Sequence, residues 1–444
     1  MKSRGSIALG FLGLIALGAV LLASPSARVA GAWGNAQGAL FTAFSAVCVT
    51  GLSIVDIASE YTRAGQIILM LLVEVGCLGL MTCGTFLLVA IGRRLSLSRE
   101  FSLMNAYGVV QVQGLRSLIV WIVGSMLLIE IFGAALLYAR FRTLFPGDAL
   151  YMSCFYSLMG FCNAGFGILP GSLASFAAEP YVLGVMALET ILGGIGFLVI
   201  YNLCTFKFQH RRTGGAGRLS LHAKVVLRLT AYLLAIAFVA FLLLEWDGAL
   251  AGMPLGQKLS VGFYQAVTPR TCGFCVVPTE SLKPLTRLVY ETLMVIGGAP
   301  GSAAAGIKVT TLAVLIYTLK AMCNGEPETV IYRRLIPNEV VRETIVIVTT
   351  FLVLIVVVTG ALIATEAERT WLSIDALFFE AVSALTTTGL SVGETTANLS
   401  GAGKAVILAA MFTGRLGALS VVMLIGDRES KRHIRYPVEE LVVG

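Results

Sequence analysis

Long uncharged runs of apolar residues alternate with short polar segments along almost the whole chain. Several runs reach the roughly 18 to 20 residues that a helix needs to cross a bilayer. The clearest are Gly5–Ala23, Ile67–Ile91, Ser117–Ala139, Val182–Phe206, Leu229–Leu244, Ile345–Thr365 and Ala405–Ile425. The pattern predicts a helical membrane protein that crosses the bilayer many times.

Between these runs lie four shorter apolar segments of only about a dozen residues, too short to span a bilayer. They are Asn35–Val47, Ala149–Phe161, Gly256–Val267 and Ser373–Leu385. Non-helical backbone at membrane depth is tolerated only where it is buried in protein or lines a wet cavity. We therefore expect four re-entrant helices whose loops share one aqueous path.

Each short segment belongs to a repeated motif, a Phe followed ten residues later by a Gly and then by Leu or Phe. The four copies are Phe41…Gly51-Leu52, Phe155…Gly165-Phe166, Phe263…Gly273-Phe274 and Phe379…Gly389-Leu390. The glycines are 114, 108 and 116 residues apart, a spacing too long for a solenoid repeat. Each copy therefore belongs to a whole transmembrane unit.

A second motif, Gly-x-x-Gly, follows each of these glycines in a similar register. Its copies are Gly76–Gly79, Gly193–Gly196, Gly298–Gly301 and Gly414–Gly417, and they begin 25, 28, 25 and 25 residues after the loop Gly. One such motif usually only permits close helix packing. Four copies in register indicate equivalent inner helices that cross near one point.

These patterns predict an all-α polytopic membrane protein with four fused helix–pore-loop–helix units around one pseudo-four-fold pore. It would have eight transmembrane helices and four re-entrant pore helices. The predicted limits are 1–92, 93–207, 208–323 and 324–426 for the four repeats, with a cytoplasmic tail at 427–444. Within the third repeat, a segment near 297–306 is nearly all small residues with a Pro, which predicts a loop inside the membrane.

Composition agrees with this fold and excludes a soluble globular protein, since 57% of residues are hydrophobic and 13% charged. With segments assigned alternately, one side receives 20 Lys and Arg residues and the other 10. The positive-inside rule then places both termini in the cytoplasm and all four Phe…Gly motifs outside. The first run could instead be a cleaved signal peptide, but the first repeat would then lose its leading helix.

The nine cysteines predict neither a disulfide framework nor a zinc site, because most stand singly in apolar runs. Cys272 and Cys275 form a Cys-x-x-Cys, but there is no second pair, and the three histidines lie elsewhere. His210, His222 and His433 all fall in predicted cytoplasmic segments. This also disfavours an intramembrane enzyme, and we expect no catalytic residues.

The loops before the repeated glycines are the candidate ion site. A cation that crosses lipid must have its water shell replaced, and rings of backbone carbonyls can do this. Gly permits the positive-φ backbone that such loops need, which explains why the side chains vary and the Gly does not. The predicted filter residues are Val49, Thr50, Gly51, Asn163, Ala164, Gly165, Thr271, Cys272, Gly273, Thr387, Thr388 and Gly389.

With these four loops the chain resembles the superfamily of potassium transporters that contains the Trk, Ktr and plant HKT proteins. The resemblance spans nearly all 444 residues. It implies K⁺ conduction through the four loops. Na⁺-selective HKT relatives tend to carry Ser at the position of Gly51, so Gly here favours K⁺.

The small-residue segment resembles the gating loop of this superfamily, whose usual form is close to Gly-Ser-Thr-Ala-Gly-Gly-Ile-Lys. Here Ala303 and Ala305 replace a hydroxyl residue and a Gly, which could stiffen the loop or weaken a polar contact. The resemblance implies that Arg415 contacts this loop, whereas a snorkelling anchor is the alternative. The predicted gate residues are Gly298, Pro300, Gly301, Ser302, Ala303, Ala304, Ala305, Gly306, Lys308 and Arg415.

Arg270 stands three residues before Gly273 and would repel K⁺ if it entered the path. We expect its side chain behind the filter, braced against Glu280 or Glu380.

Within the superfamily the chain is most like a Ktr-type membrane subunit of the inner (cytoplasmic) membrane. It begins directly with the first unit, it is short, and its end at 435–444 resembles the compact Ktr tail. The resemblance implies a homodimer docked on a KtrA-like cytoplasmic ring of RCK/KTN-type regulatory subunits, with loops around Arg93, Arg211 and Arg333 as the docking surface. It also implies no cofactor on this chain, ATP or ADP on the partner, and Na⁺ as a candidate activator.

Three rivals remain. A Trk-type subunit or an Na⁺-permeable member of the superfamily is the nearest. A small-solute secondary transporter would predict inverted repeats and a substrate-sized polar cluster, neither of which the sequence displays.

Overall fold

The computed structural model describes residues 2–79, 115–169, 171–213, 219–369 and 371–417. Within these ranges the chain is mainly helical, and the strands are the two-residue pair β1 (Val330–Ile331) and β2 (Arg334–Leu335), which form one antiparallel hairpin. The predicted helical fold is confirmed.

Among the described residues, the α-helices follow one another in four sets of four. In chain order they are α1 Lys2–Ala23, α2 Ala36–Val47, α3 Ile57–Glu60 and α4 Arg63–Leu78; α5 Leu115–Leu144, α6 Ala149–Cys162, α7 Pro180–Ile195 and α8 Phe197–Thr213; α9 Leu221–Glu245, α10 Leu255–Val267, α11 Pro284–Val295 and α12 Val309–Cys323; α13 Asn338–Thr365, α14 Ile374–Leu385, α15 Thr395–Asn398 and α16 Gly401–Leu416. Two short 3₁₀ helices, Ala174–Phe176 and Thr279–Ser281, lie in loops.

Three described helices are by themselves long and apolar enough to cross a membrane, namely α9, α13 and the part of α5 from Ile119 onward. The pair α7 and α8 gives a fourth candidate, bent by 96° at its break. The other predicted spans do not meet these criteria of length and apolarity on the described residues; in α1 the apolar helix is Ala8–Ala23. The helices α4 and α16 end at Gly-x-x-Gly motifs, and the third inner span is interrupted between α11 and α12.

The four predicted re-entrant segments form the short helices α2, α6, α10 and α14. Asn35 and Ser373 begin two of them as N-caps, since their side chains accept backbone N–H groups of Gln37 and Ala376. Each helix ends just before a filter Gly. The negative ends of four helix dipoles therefore point toward the filter loops.

The helices α4, α7, α11 and α16, which follow the filter loops, connect the four sets in a closed ring. Helix α4 packs on α6, α7 on α10, α11 on α14, and α16 returns to α2. Each of these inner helices thus supports the pore helix of the next set. The pore helices are held at the centre with no open seam between the first and fourth sets.

Polar contacts join the long helix of each set to the start of its inner helix. In the third set, Glu245 at the end of α9 accepts hydrogen bonds from Thr286 Oγ1 at 2.5 Å and from the Lys283 N–H at 2.9 Å. In the fourth set, Glu366 beyond α13 accepts bonds from the Ser400 hydroxyl at 2.5 Å and from its N–H. These carboxylates satisfy N–H groups that would otherwise lack partners at a helix start.

The first two sets use different residues at the same place. Arg140 of α5 donates two hydrogen bonds, at 2.8 and 2.6 Å, to the Glu179 carboxylate just before α7. These bonds hold the pKa of Glu179 below its usual value. In the first set the Thr62 hydroxyl donates to the Ser26 carbonyl at 2.8 Å, and Arg28 pairs with Glu60. The same junction is therefore closed in all four sets, by a Glu carboxylate in the third and fourth and by other side chains in the first and second.

The repeat limits stay a prediction. The proposed limit at 323/324 coincides with the end of α12, whereas the limit at 207/208 falls inside α8. The limit at 92/93, Arg93 and the tail 427–444 lie outside the described residues.

Candidate functional site

The four filter loops share one backbone conformation. The residue two positions before each filter Gly has a positive φ, with 56° at Val49, 56° at Asn163, 66° at Thr271 and 48° at Thr387. The filter glycines have φ of 93°, 64°, 81° and 87°. Non-Gly residues rarely adopt a positive φ. Its recurrence at four equivalent positions therefore means that the surrounding structure imposes this conformation, as is common at functional sites.

The loops close into a ring around one axis. A Cβ on Gly51 would meet the Ala164 carbonyl, one on Gly165 the Cys272 carbonyl, one on Gly273 the Thr388 carbonyl, and one on Gly389 the Thr50 carbonyl. Each loop thus touches the next and the fourth touches the first. Gly is required because a side chain would push a neighbouring carbonyl out of the ring.

The twelve predicted filter residues therefore lie together. The eight that are not glycines are exposed to solvent by 1% or less. The hydroxyls of Thr50, Thr271 and Thr387 are buried and have no hydrogen-bond partner among the described residues. Carbonyl and hydroxyl oxygens are the ligands that replace water around an alkali cation. The residues present fit a K⁺ path.

An open cavity of about 400 Å³ lies at one mouth of the ring. Its lining includes Gly51 and Gly389 together with Asp56 and Glu394 from the loops that follow them. Two carboxylates at the mouth raise the local concentration of cations.

Glu380 of α14 supports this mouth, a role that the sequence did not assign. Its buried carboxylate accepts hydrogen bonds from Thr396 Oγ1 at 2.6 Å and from the Ser391 hydroxyl. Both donors follow Gly389, so Glu380 holds the exit of the fourth filter loop. A Glu inside an otherwise apolar pore helix was the available signal.

The segment between α11 and α12 is a loop, as its Gly and Pro content predicted, and it binds the break between α7 and α8. The Ala299 N–H donates to the Gly194 carbonyl at 2.9 Å and the Ala303 N–H to Gly193 at 3.2 Å. In return the Phe197 N–H donates to Gly301 at 3.0 Å. The second Gly-x-x-Gly therefore supplies carbonyls that hold the loop.

The loop also closes on itself. The Gly297 N–H donates to the Ile307 carbonyl at 3.0 Å and the Val309 N–H to Gly298 at 3.0 Å. Ser302 Oγ bonds the Ala299 carbonyl at 2.7 Å, and Lys308 Nζ bonds the Ala304 carbonyl at 2.6 Å. The remaining predicted gate residues, Pro300, Ala305 and Gly306, lie in the same loop.

Arg415 reaches this loop from α16. Its Nη1 donates to the Ala303 carbonyl at 2.8 Å, while Nη2 donates to Gly76, and to Cys77 at 3.3 Å, at the end of α4. One guanidinium thus connects the loop of the third set with the inner helices of the fourth and first. The contact expected from the resemblance is present in the geometry.

Arg270 does not take the partners expected for it. Among the described contacts, its Nη2 donates to the Gly297 carbonyl at 3.2 Å, and it pairs with neither Glu280 nor Glu380. Glu380 is occupied by Ser391 and Thr396. The side chain therefore turns toward the loop between α11 and α12.

A buried acidic group behind the second pore helix was not assigned a role from the sequence. Ligand atoms of Glu74, Glu130 and Cys162 lie within 4.8 Å of one another. Nearby, Glu189 accepts a hydrogen bond from the Ser157 hydroxyl. The signal in the sequence was the presence of single Glu residues in apolar runs.

Comparison with known proteins gives the family. The profile of the TrkH family, described as a cation transport protein, matches residues 11–433. The chain is 34% identical to the Ktr system potassium uptake protein B of Bacillus subtilis, over 99% of this chain and 96% of that protein. It is 33% identical to the potassium/sodium uptake protein NtpJ of Enterococcus hirae, with the same coverage.

The fold is also similar to a solved structure, that of the potassium transporter TrkH from Vibrio parahaemolyticus. The TM-score is 0.72 at 17% identity, and the match covers 96% of this chain and 86% of that one. The chain therefore belongs to the TrkH family of cation transport proteins.

Proposed function

We propose that this protein takes up potassium ions across the cytoplasmic membrane through the ring of four filter loops. The observation that carries the proposal is the closed contact ring of Gly51, Gly165, Gly273 and Gly389 with the carbonyls of their neighbours. Such a ring offers backbone oxygens from four sides, which suits a dehydrated alkali cation. The names of the similar proteins of Bacillus subtilis and Enterococcus hirae support K⁺ as the transported ion.

The loop 297–306 acts as the gate of this path. It is bound on one side by the carbonyls of Gly193 and Gly194 and on the other by Arg415. These are few and separable bonds, so modest forces on the inner helices can release it. Lys308 stabilises the closed form through the Ala304 carbonyl.

The protein works as a homodimer of two pores on a cytoplasmic ring of nucleotide-binding regulatory subunits, and both termini face the cytoplasm. Support comes from the Ktr systems named among its relatives and from the excess of Lys and Arg on one side of the chain. The docking surface includes Arg93, Arg211 at the end of α8, and Arg333 of the β-hairpin.

Rescue of a potassium-uptake-deficient bacterium at low K⁺ tests the function. The intact chain should restore growth, and more strongly when its regulatory subunit is co-expressed. Gly273→Val should abolish rescue because a side chain there meets the Thr388 carbonyl. Gly124→Val is the matched control, since that Gly on α5 has open space around it.

Failure of the well-expressed wild-type chain to rescue, with and without the partner, would reject the proposal. The second candidate is an Na⁺-permeable transporter, which the similarity to NtpJ, a potassium/sodium uptake protein, favours. Uptake of labelled Na⁺ at a rate equal to that of K⁺ would select it.

A further inference from the structure

Arg270 connects the third filter loop with the gating loop. It stands between α10 and Thr271, its side chain is only 7% exposed, and it donates to the Gly297 carbonyl at 3.2 Å. Gly297 is the first residue of the closed gating loop, bonded to the Ile307 carbonyl. A Cβ on Gly297 would strike the Ala305 carbonyl. The Gly297 carbonyl therefore cannot move unless the rest of the gating loop moves with it.

The guanidinium is sparsely bonded for a buried charge. The described ion pairs do not include it, and its Nη1 is buried without a partner among the described residues. The Thr230 hydroxyl of α9 is likewise buried and unpartnered. Both groups line a small enclosed cavity, together with Gly194 and Gly298. Its free volume of about 10 Å³ has room for about one water molecule.

A purely structural role does not account for a charge at this position. An apolar side chain of similar volume would fill the site without the desolvation penalty of a buried ion. A hydrogen bond from a buried guanidinium to one carbonyl instead leaves an unpaired buried charge when it breaks, which makes breaking it costly. A movement of Gly297 would therefore displace Arg270 and, with it, Thr271 and Cys272, the two filter residues that follow Arg270 in the chain.

We propose that Arg270 is a positioning residue that couples the gating loop to the third filter loop, so that the state of the gate changes ion discrimination in the filter. This inference rests on the proposed function. When the loop is in place, Arg270 holds the third filter loop in the ring. When the loop moves, the filter loses that support and admits Na⁺ more readily.

Four full-length proteins in liposomes test the coupling: the wild type, Arg270→Lys, a deletion of Ser302–Ala304, and the combination. Lys keeps the charge but loses the fork that reaches both Gly297 and the cavity. The measurements are K⁺ flux and the ratio of K⁺ to Na⁺ flux. We expect the deletion to raise K⁺ flux, and each single change to lower the ratio by roughly five-fold, at the lower end of ordinary coupling. The combination should lower the ratio no further than either change alone.

Arg287→Lys is the matched control. This Arg of the same set pairs with Asp375 at 2.7 Å, away from the gating loop, and should leave the ratio unchanged. A wild-type ratio in Arg270→Lys, or ratios that multiply in the combination, would overturn the coupling.

The comparison of the wild type with the deletion needs no change at Arg270 and remains decisive if Arg270→Lys does not fold. Higher flux with an unchanged ratio rejects the coupling alone. Unchanged K⁺ flux in the deletion protein rejects the gate of the proposed function instead.

Discussion

At the scale of single residues, the filter positions require Gly for two reasons. The backbone has a positive φ, and a side chain would collide with a carbonyl of the neighbouring loop. Gly51 combines a φ of 93° with a Cβ direction that points at the Ala164 carbonyl. Any side chain is therefore both strained and in collision with the ring.

Gly51→Ser should lower the preference for K⁺ over Na⁺ by roughly 10-fold. Displacing one ring carbonyl removes an ion–dipole contact to the dehydrated cation, and a difference on the order of 1.4 kcal/mol between K⁺ and Na⁺ corresponds to that factor. Competition between labelled K⁺ and Na⁺ in uptake assays measures the change. Gly124→Ser is the control, and an unchanged preference in Gly51→Ser would speak against the filter assignment.

Arg415→Ala should open a leak in the absence of the regulatory partner. The variant loses hydrogen bonds to Ala303 and to the end of α4, so flux through the isolated protein should rise roughly 10-fold. Flux of K⁺ from proteoliposomes measures it. Arg142→Ala, an exposed residue of α5, should have no effect, and equal flux from the two variants would reject this role for Arg415.

At the scale of elements, the inner helices are equivalent up to their breaks and different beyond them. The first Gly of the motif packs against the carbonyl four residues before the filter Gly in three sets, as Gly76 on Val47, Gly193 on Phe161 and Gly414 on Leu385. In the third set Gly298 instead packs on Gly194. The departure from symmetry is the loop between α11 and α12, the proposed gate.

Deleting Ser302–Ala304 should raise K⁺ flux, because it removes the residue that Arg415 and Gly193 hold. The loop would lose the Ala303 contacts on both of its sides. Tracer flux measures the result, with chromatographic elution and thermal midpoint as checks of folding. A loss of flux in well-folded protein would contradict the gating role.

Glu366→Gln should destabilise the protein by about 1 to 3 kcal/mol. The buried carboxylate accepts bonds from both the Ser400 hydroxyl and N–H, and an amide cannot accept both at full strength. The thermal midpoint in detergent measures the loss. Glu368→Gln, two residues away and exposed, should leave the midpoint unchanged. Equal midpoints for the two variants would count against a stabilising role of the hydrogen bonds between Glu366 and Ser400.

At the scale of the whole molecule, each inner helix packs on the pore helix of the next set. The geometry of the filter loops therefore depends on all four sets. If the proposed filter binds an ion, that ion should therefore stabilise the entire fold. By mass action, K⁺ at about 100 times its dissociation constant adds about 2.7 kcal/mol.

The thermal midpoint should accordingly be higher in K⁺ than in an equal concentration of choline. Gly273→Val should remove most of this difference, since its side chain displaces a ring carbonyl. Equal midpoints in the two salts for the wild type would contradict a cation site that joins the four sets.

Much of this architecture was determined by the sequence itself. Apolar runs long enough to span, dozen-residue segments too short to do so, and glycines in register dictate the helices and the four loops, because bilayer thickness and backbone sterics act locally. The resemblance to a known superfamily added the roles expected of Gly51, Arg415 and the small-residue loop.

Only the tertiary structure decided which groups meet across the sets. The closed order of the filter ring, the bonds of Ala299 and Ala303 to the second set, and the turn of Arg270 toward Gly297 join residues far apart in the chain. The spacing of residues in a sequence does not determine where a side chain points. The hydrogen-bond partner of a buried charge depends on which acceptors the packed helices place within its reach. That is why a Glu partner was expected for Arg270 and a backbone carbonyl of the gating loop was found.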